Sequence, residues 1–234
     1  MSTDSDTQPN PDAPKTPDDL RASIPNALTV GRLFLAAGFI TALSGFRADE
    51  DQGWILPLSA GLFIVAAITD ALDGFLARRW NAISTFGRVM DPLADKILVL
   101  GAFILLAGPG FHSITDGQVT GVAPWMVVVI LTREMLATSI RGVVESTGEP
   151  MPALRSGKAK MILQAICVPA ILLLIWGAGA ESGSWSHGVI RVLVWATLIV
   201  TIISGWRYLM ATIRFAIPRR TPTTTTSTTT SEDP

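Results

Sequence analysis

Four aspartates, Asp70, Asp73, Asp91 and Asp95, fall between apolar runs, WILPLSAGLFIVAAI before them and ILVLGAFILLA after them. Ionisable side chains are costly in such surroundings, so acids there mark function by default. At about 100° per residue, Asp70, Asp73, Gly74, Ala77 and Arg78 share an arc of about 140° on one helix. Gly87, Asp91 and Asp95 step by four and form a second stripe. The polar run RRWNAIST between them suits a tight turn. An antiparallel hairpin centred near residue 82 sets Asp70 level with Asp95 and Asp73 level with Asp91 across one seam. Four ionised carboxylates in a poorly solvated cleft repel one another. Divalent metal resolves that conflict: hard carboxylate oxygens suit Mg²⁺ or Mn²⁺. Four shared acids can hold two such ions, as in two-metal phosphoryl-transfer sites. Gly74, Ala77 and Gly87 leave room on the same faces for a flat or phosphorylated ligand. The competing explanation is a charged loop beside the membrane, its acids paired with Arg78, Arg79, Arg88 and Lys96. Loop charges, however, have no reason to keep helical phase.

A second polar set lies in TREMLATSIRGV. Arg133 and Glu134 interrupt apolar sequence, and positions 133, 137 and 141 share a face, so Arg133 and Arg141 are expected to point to one cleft. The run RSGKAK adds Arg155, Lys158 and Lys160. Such a cluster binds a phosphate through charge-assisted hydrogen bonds. Cytoplasmic anchoring together with an Arg133–Glu134 pair accounts for the loop cations but not for Arg133 in mid-span. Upstream, IPNALTVGRL offers Asn26 as a helix cap with Pro25 just outside. Thr29 and Arg32 then serve either as interfacial anchors or, with Asn26, as contacts to a substrate's phosphates at the same surface.

The elements that must position these groups are membrane helices. The chain is 49% hydrophobic and 16% charged, and its mean hydropathy is +0.44, too little charge for a soluble domain. A net charge of −1 gives no electrostatic case for nucleic acid as a partner. Apolar stretches at about 28–46, 54–79, 88–107, 124–145, 157–178 and 188–212 each approach the roughly 20 residues a bilayer requires. The connectors FRADEDQG, GPGFHSITDGQVTGVA and AGAESGSWSH are poor in Lys and Arg, whereas Arg78, Arg79, Arg155, Lys158, Lys160, Arg219 and Arg220 fall on the opposite side. The positive-inside rule then places both termini and the aspartate hairpin turn in the cytoplasm. His112 and His187 read as exposed residues of the outer connectors, and Cys167 as packing. Trp54, Trp125, Trp185 and Trp206 read as interfacial anchors. Residues 1–22 and 217–234 read as disordered tails around a membrane domain at 23–216. No cleavable signal peptide is expected.

The pattern Asp70-x2-Asp73-Gly74-x2-Ala77-Arg78-x8-Gly87-x3-Asp91-x3-Asp95 resembles, without departure, the signature of the CDP-alcohol phosphatidyltransferase family. The looser patterns IPN-x-LT-x2-R, R-E-x5-I-R and G-K-x-K are similar to its bacterial phosphatidylglycerophosphate synthase branch, and the similarity runs from about residue 24 to 215. The resemblance implies an all-α integral membrane enzyme with six transmembrane helices, a cleft open to the cytoplasm and a homodimeric state, in the bacterial inner membrane. It implies transfer of a phosphatidyl group from CDP-diacylglycerol to an alcohol with release of CMP; for this branch the acceptor is sn-glycerol 3-phosphate. On that reading Asp70, Asp73 and Asp91 are metal ligands. Asp95 is the candidate general base and touches one of the two metals. Gly74, Ala77, Arg78 and Gly87 receive the cytidine and its phosphates, assisted by Asn26, Thr29 and Arg32. Arg133, Arg141, Lys158 and Lys160 hold the acceptor's phosphate. Cardiolipin synthases and inositol-phosphate-using relatives share the hairpin and differ in the acceptor. A divalent-cation transporter is the alternative outside the class, although no internal repeat supports it.

Overall fold

The computed structural model describes residues 17–50, 52–80, 85–115, 117–146, 155–178 and 184–216. Six α-helices make up nearly all of it: α1 Pro17–Ser44, α2 Ile55–Trp80, α3 Thr85–Leu106, α4 Pro124–Ser146, α5 Arg155–Ala178 and α6 Trp185–Ala216. Their positions follow the apolar stretches of the sequence closely. The start of α1 differs: it begins at Pro17, within the stretch read as a tail, so Pro25 and Asn26 lie inside the helix and Asn26 is not its cap. Residues 217–234, read as the second tail, lie outside the described residues.

Each helix carries one buried stripe at spacings of three and four. On α1 it runs Arg32, Ala36, Phe39, Leu43, and on α5 Lys160, Gln164, Cys167, Ile171. The outward faces are also apolar: Phe34, Val65, Ile68, Ile104, Val128, Ile199 and Ile203 are all exposed. Apolar residues around the circumference with polar residues inside is the arrangement lipid demands. Between helices in lipid, close packing replaces the hydrophobic drive. Gly38, for instance, faces Leu62 of α2, where an added Cβ would sit 3.9 Å from Leu62 Cδ1. Phe39 meets Phe63 edge to face at 5.5 Å. Four helices hold segments long and apolar enough to cross a membrane: Ala27–Ser44, Ile55–Leu72, Lys160–Ala178 and Trp185–Arg207. Helices α3 and α4 are of similar length but are interrupted by Asp91, Asp95 and Lys96 and by Arg133, Glu134 and Arg141.

The connections after α1 and after α3 meet at one end of the bundle. Ala48 N donates to Gly110 O at 2.9 Å, and Ile114 N to Asp49 Oδ1 at 3.3 Å. Gly53 lies against Trp176 near the end of α5. The connector after α3, read from sequence as plain loop, contains a 3-10 turn at Pro109–Phe111 and a small antiparallel ladder, β1 His112–Ser113 with β2 Gly117–Gln118. It folds back to cap α3: Gln118 Nε2 and Thr120 Oγ1 both donate to Leu106 O at 2.7 Å. That satisfies a carbonyl which the end of the helix leaves open. His112 is exposed, as expected; His187 is not a loop residue but stands half-buried in the first turn of α6. Trp54, Trp125, Trp185 and Trp206 are all exposed.

Gly110 is the tightest point of this end, since an added Cβ would lie 2.6 Å from the carbonyl oxygen of Phe46. Backbone cannot yield there as a side chain tip can. Gly110→Ala is expected to destabilise the protein by about 1–3 kcal/mol, with activity per folded molecule unchanged. An unaltered melting temperature in detergent would refute so close an approach.

Candidate active site

At the end of the bundle opposite these connectors, the buried stripes change character. Phe39 and Ala36 give way along α1 to Arg32 and Thr29, while Phe63 and Ala66 give way along α2 to Asp70. Ile171 and Cys167 give way along α5 to Gln164 and Lys160, and Leu198 gives way along α6 to Thr201 and Ser204. The same helical phase that builds the apolar core therefore carries polar side chains into the bundle's other half. That is the local reason these charges face inward.

Two ionic groups result. In the first, Arg32 of α1, 0% exposed, donates from Nη1 to Asp70 Oδ1 of α2, whose side chain is 30% exposed. Thr29 is buried one turn earlier. Full burial removes the interfacial-anchor reading for both Thr29 and Arg32. Asp95 of α3 is half-buried, and the charges of Lys160, Lys96 and Arg32 act on it. In the second group, Glu134 Oε1 accepts from Arg133 Nη1 of its own helix at 2.9 Å and from Lys160 Nζ of α5. Arg133 Nη2 also donates to Ser204 Oγ of α6. An added Cβ on the neighbouring Gly205 would lie 3.0 Å from Arg133 Cγ, so a glycine gives the arginine stem its seat. The groups join because Lys160 feels both Arg133 and Asp95.

The Asp73–Asp91 half of the expected seam between α2 and α3 lies outside the described side chains. Among the described residues these helices make few contacts with one another, whereas α1 packs extensively on both. Around the two acids whose side chains are described, the guanidinium of Arg32 pairs with Asp70 and acts on Asp95, so a third helix supplies the cation of the seam. The sequence pattern gave no sign of this, because helical phase orders residues within a helix and says nothing about which helix lies between. Arg141, expected to share a cleft with Arg133, is exposed, although its charge acts on Lys96. Gly74 is half-buried on α2. The side chains of Asn26, Asp73, Ala77, Arg78, Asp91 and Lys158, together with Gly87, lie outside the described residues. Among the described residues no cluster of three or more potential metal ligands forms.

Reasoning from sequence noticed Glu134 only as a partner of Arg133 and passed over Ser204, Gly205 and Lys96 as site residues. Ser204 and Gly205 do leave a trace, a small polar pair in the apolar run TIISGW. Chemically, the arrangement offers a half-buried carboxylate, Asp95, on which the charges of the buried Arg32 and Lys160 act. A carboxylate with cations beside it suits a reaction in which a proton leaves one group while phosphate charge is held nearby.

Comparison with known proteins bears on the same residues. Residues 22–203 match the family described as CDP-alcohol phosphatidyltransferase. The chain is 35% identical over 193 residues to the CDP-diacylglycerol–glycerol-3-phosphate 3-phosphatidyltransferase of Bacillus subtilis (strain 168), covering 80% of this chain and 93% of the relative. It is 30% identical over 189 residues to the protein of the same name from Rickettsia felis, covering 81% and 94%. It is 32% identical over 194 residues to a probable phosphatidylglycerophosphate synthase of Mycobacterium tuberculosis (strain ATCC 25618 / H37Rv), covering 82% and 83%.

Proposed function

Because the chain belongs to the CDP-alcohol phosphatidyltransferase family, we propose that it transfers the phosphatidyl group of CDP-diacylglycerol to sn-glycerol 3-phosphate, giving phosphatidylglycerol phosphate and CMP. The relatives named for this reaction support the acceptor. The observation that carries the reading is the cation pair Arg133 and Lys160, joined at Glu134 across α4 and α5, with Lys160 also acting on Asp95 of α3. An acceptor bearing its own phosphate needs cations close to the base, and an uncharged alcohol does not.

Asp95 takes the proton of the acceptor hydroxyl as its oxygen attacks the diphosphate phosphorus that bears the diacylglycerol, and the bond to CMP breaks. Lys160 and Arg133, with Arg141 and Lys158, hold the acceptor's phosphate. Arg32, Thr29 and Asn26 on α1, with Gly74, Ala77, Arg78 and Gly87, receive the nucleotide and its phosphates. Asp70, Asp73 and Asp91, with Asp95, would hold two Mg²⁺ or Mn²⁺ ions. The chemistry of the donor set suits such ions, because hard carboxylate oxygens are what they select. When bound, the ions neutralise the diphosphate and stabilise charge on the departing CMP.

In this reading α3 and α4 also cross the bilayer, their charges turned inward, making six spans with the cleft open to the cytoplasm. Both termini are cytoplasmic, the membrane is the bacterial inner membrane and the protein is a homodimer. The acyl chains of one substrate stay in lipid while the small acceptor enters from water.

The test is CMP release by the purified protein with glycerol 3-phosphate, phosphatidylglycerol and inositol phosphate in parallel. Activity is expected with the first alone, lost in EDTA and restored by Mg²⁺ or Mn²⁺. Preference for another acceptor, or full activity in EDTA, would refute the corresponding part. Metal uptake into liposomes without CMP chemistry would replace the whole reading by a transporter.

A further inference from the structure

We propose that Glu134 is a positioning residue for the acceptor's phosphate, holding Arg133 and Lys160 as one preset pair; this rests on the acceptor reading above. A single oxygen, Oε1, accepts from both cations, one on α4 and one on α5. Ser204 fixes the far edge of the guanidinium from α6, and Gly205 admits its stem. Two helices are thereby tied at one carboxylate, and a third joins them through the guanidinium. Side chains of Lys and Arg carry large rotamer freedom, which a ligand must otherwise quench on binding. Here it is removed before the ligand arrives.

The charge balance fits the same role. One carboxylate against two cations leaves a net positive charge for a phosphate, and an ammonium has three donors, of which Glu134 takes one. Lys160 is buried, at 6% exposure. Glu134 Oε1 is the shared acceptor that sets the lysine Nζ beside Arg133. The opposite possibility is that Glu134 competes with the phosphate for these cations, and the two predict effects of opposite sign.

Steady-state CMP release by the full chain, varying each substrate against a saturating amount of the other, separates them. Glu134→Gln is expected to raise the KM for glycerol 3-phosphate about tenfold, as lost charge-assisted bonds would. The KM for CDP-diacylglycerol should stay within about twofold, and Glu134→Asp should recover part of the loss. Ser204→Ala, which leaves the carboxylate in place and loosens only the guanidinium, should raise the same KM by about threefold. A lower KM for glycerol 3-phosphate in Glu134→Gln would overturn the proposal in favour of competition. Equal shifts in both KM values, or a fall in kcat alone, would overturn it in favour of a merely structural role. Should Glu134→Gln show no unfolding transition, Glu134→Asp and Ser204→Ala decide, and an unchanged KM in both overturns the proposal. A wild-type protein that releases no CMP with glycerol 3-phosphate fails at the earlier step, the acceptor itself.

Discussion

Asp95→Asn is expected to lower kcat by about 10²–10⁴-fold, the range for loss of a general base, while binding of CDP-diacylglycerol survives. Asparagine keeps the size and one oxygen of the side chain but accepts no proton at any working pH. The carboxylate sits among three cations, Lys160, Lys96 and Arg32, supplied by α5, α3 and α1. Two readouts are needed: CMP release, and the rise in melting temperature on adding CDP-diacylglycerol with Mg²⁺. Turnover near wild type would remove the base assignment. Lost turnover with a lost melting response would make Asp95 a binding or metal residue instead.

The helices were legible because lipid imposes length and composition together. A run of about 20 apolar residues has few alternatives, and the connectors between the runs are short. The inward direction of the charges was also legible, since Asp70 keeps phase with Phe63 and Ala66, and Lys160 with Gln164 and Ile171. What the pattern did not reveal is how the helices neighbour one another. Periodicity fixes the face that a helix buries but not the partner it meets. Arg32 therefore read as an anchor or a distant contact, yet it pairs with Asp70 thirty-eight positions away. Glu134 read as a local neighbour of Arg133, although its partner of consequence, Lys160, lies on another helix. The hairpin in the outer connector escaped for another reason: strands of two residues carry no periodicity at all.

Asp70→Asn is expected to cost more stability than Arg32→Met, although the two side chains form one ion pair. The guanidinium is 0% exposed and the carboxylate 30%. Neutralising Asp70 withdraws a carboxylate from beside a fully buried charge, at a cost on the order of 3 kcal/mol. Replacing Arg32 instead leaves a carboxylate that still reaches water, at about 1–2 kcal/mol. The double variant should lose less than the sum, since the contact can be broken only once. These values are read from SDS-driven unfolding in mixed micelles with EDTA present, so that no ion contributes. Adding Mg²⁺ should then raise the unfolding midpoint of the wild type, because an ion bound by the folded state alone stabilises it. Asp70→Asn should lose most of that response and its CMP release with it. In Arg32→Met the response should persist, because the carboxylates that hold the ion are all retained. Equal costs for the two single variants would contradict the asymmetry of burial. An Mg²⁺ response preserved in Asp70→Asn would take Asp70 out of the metal site.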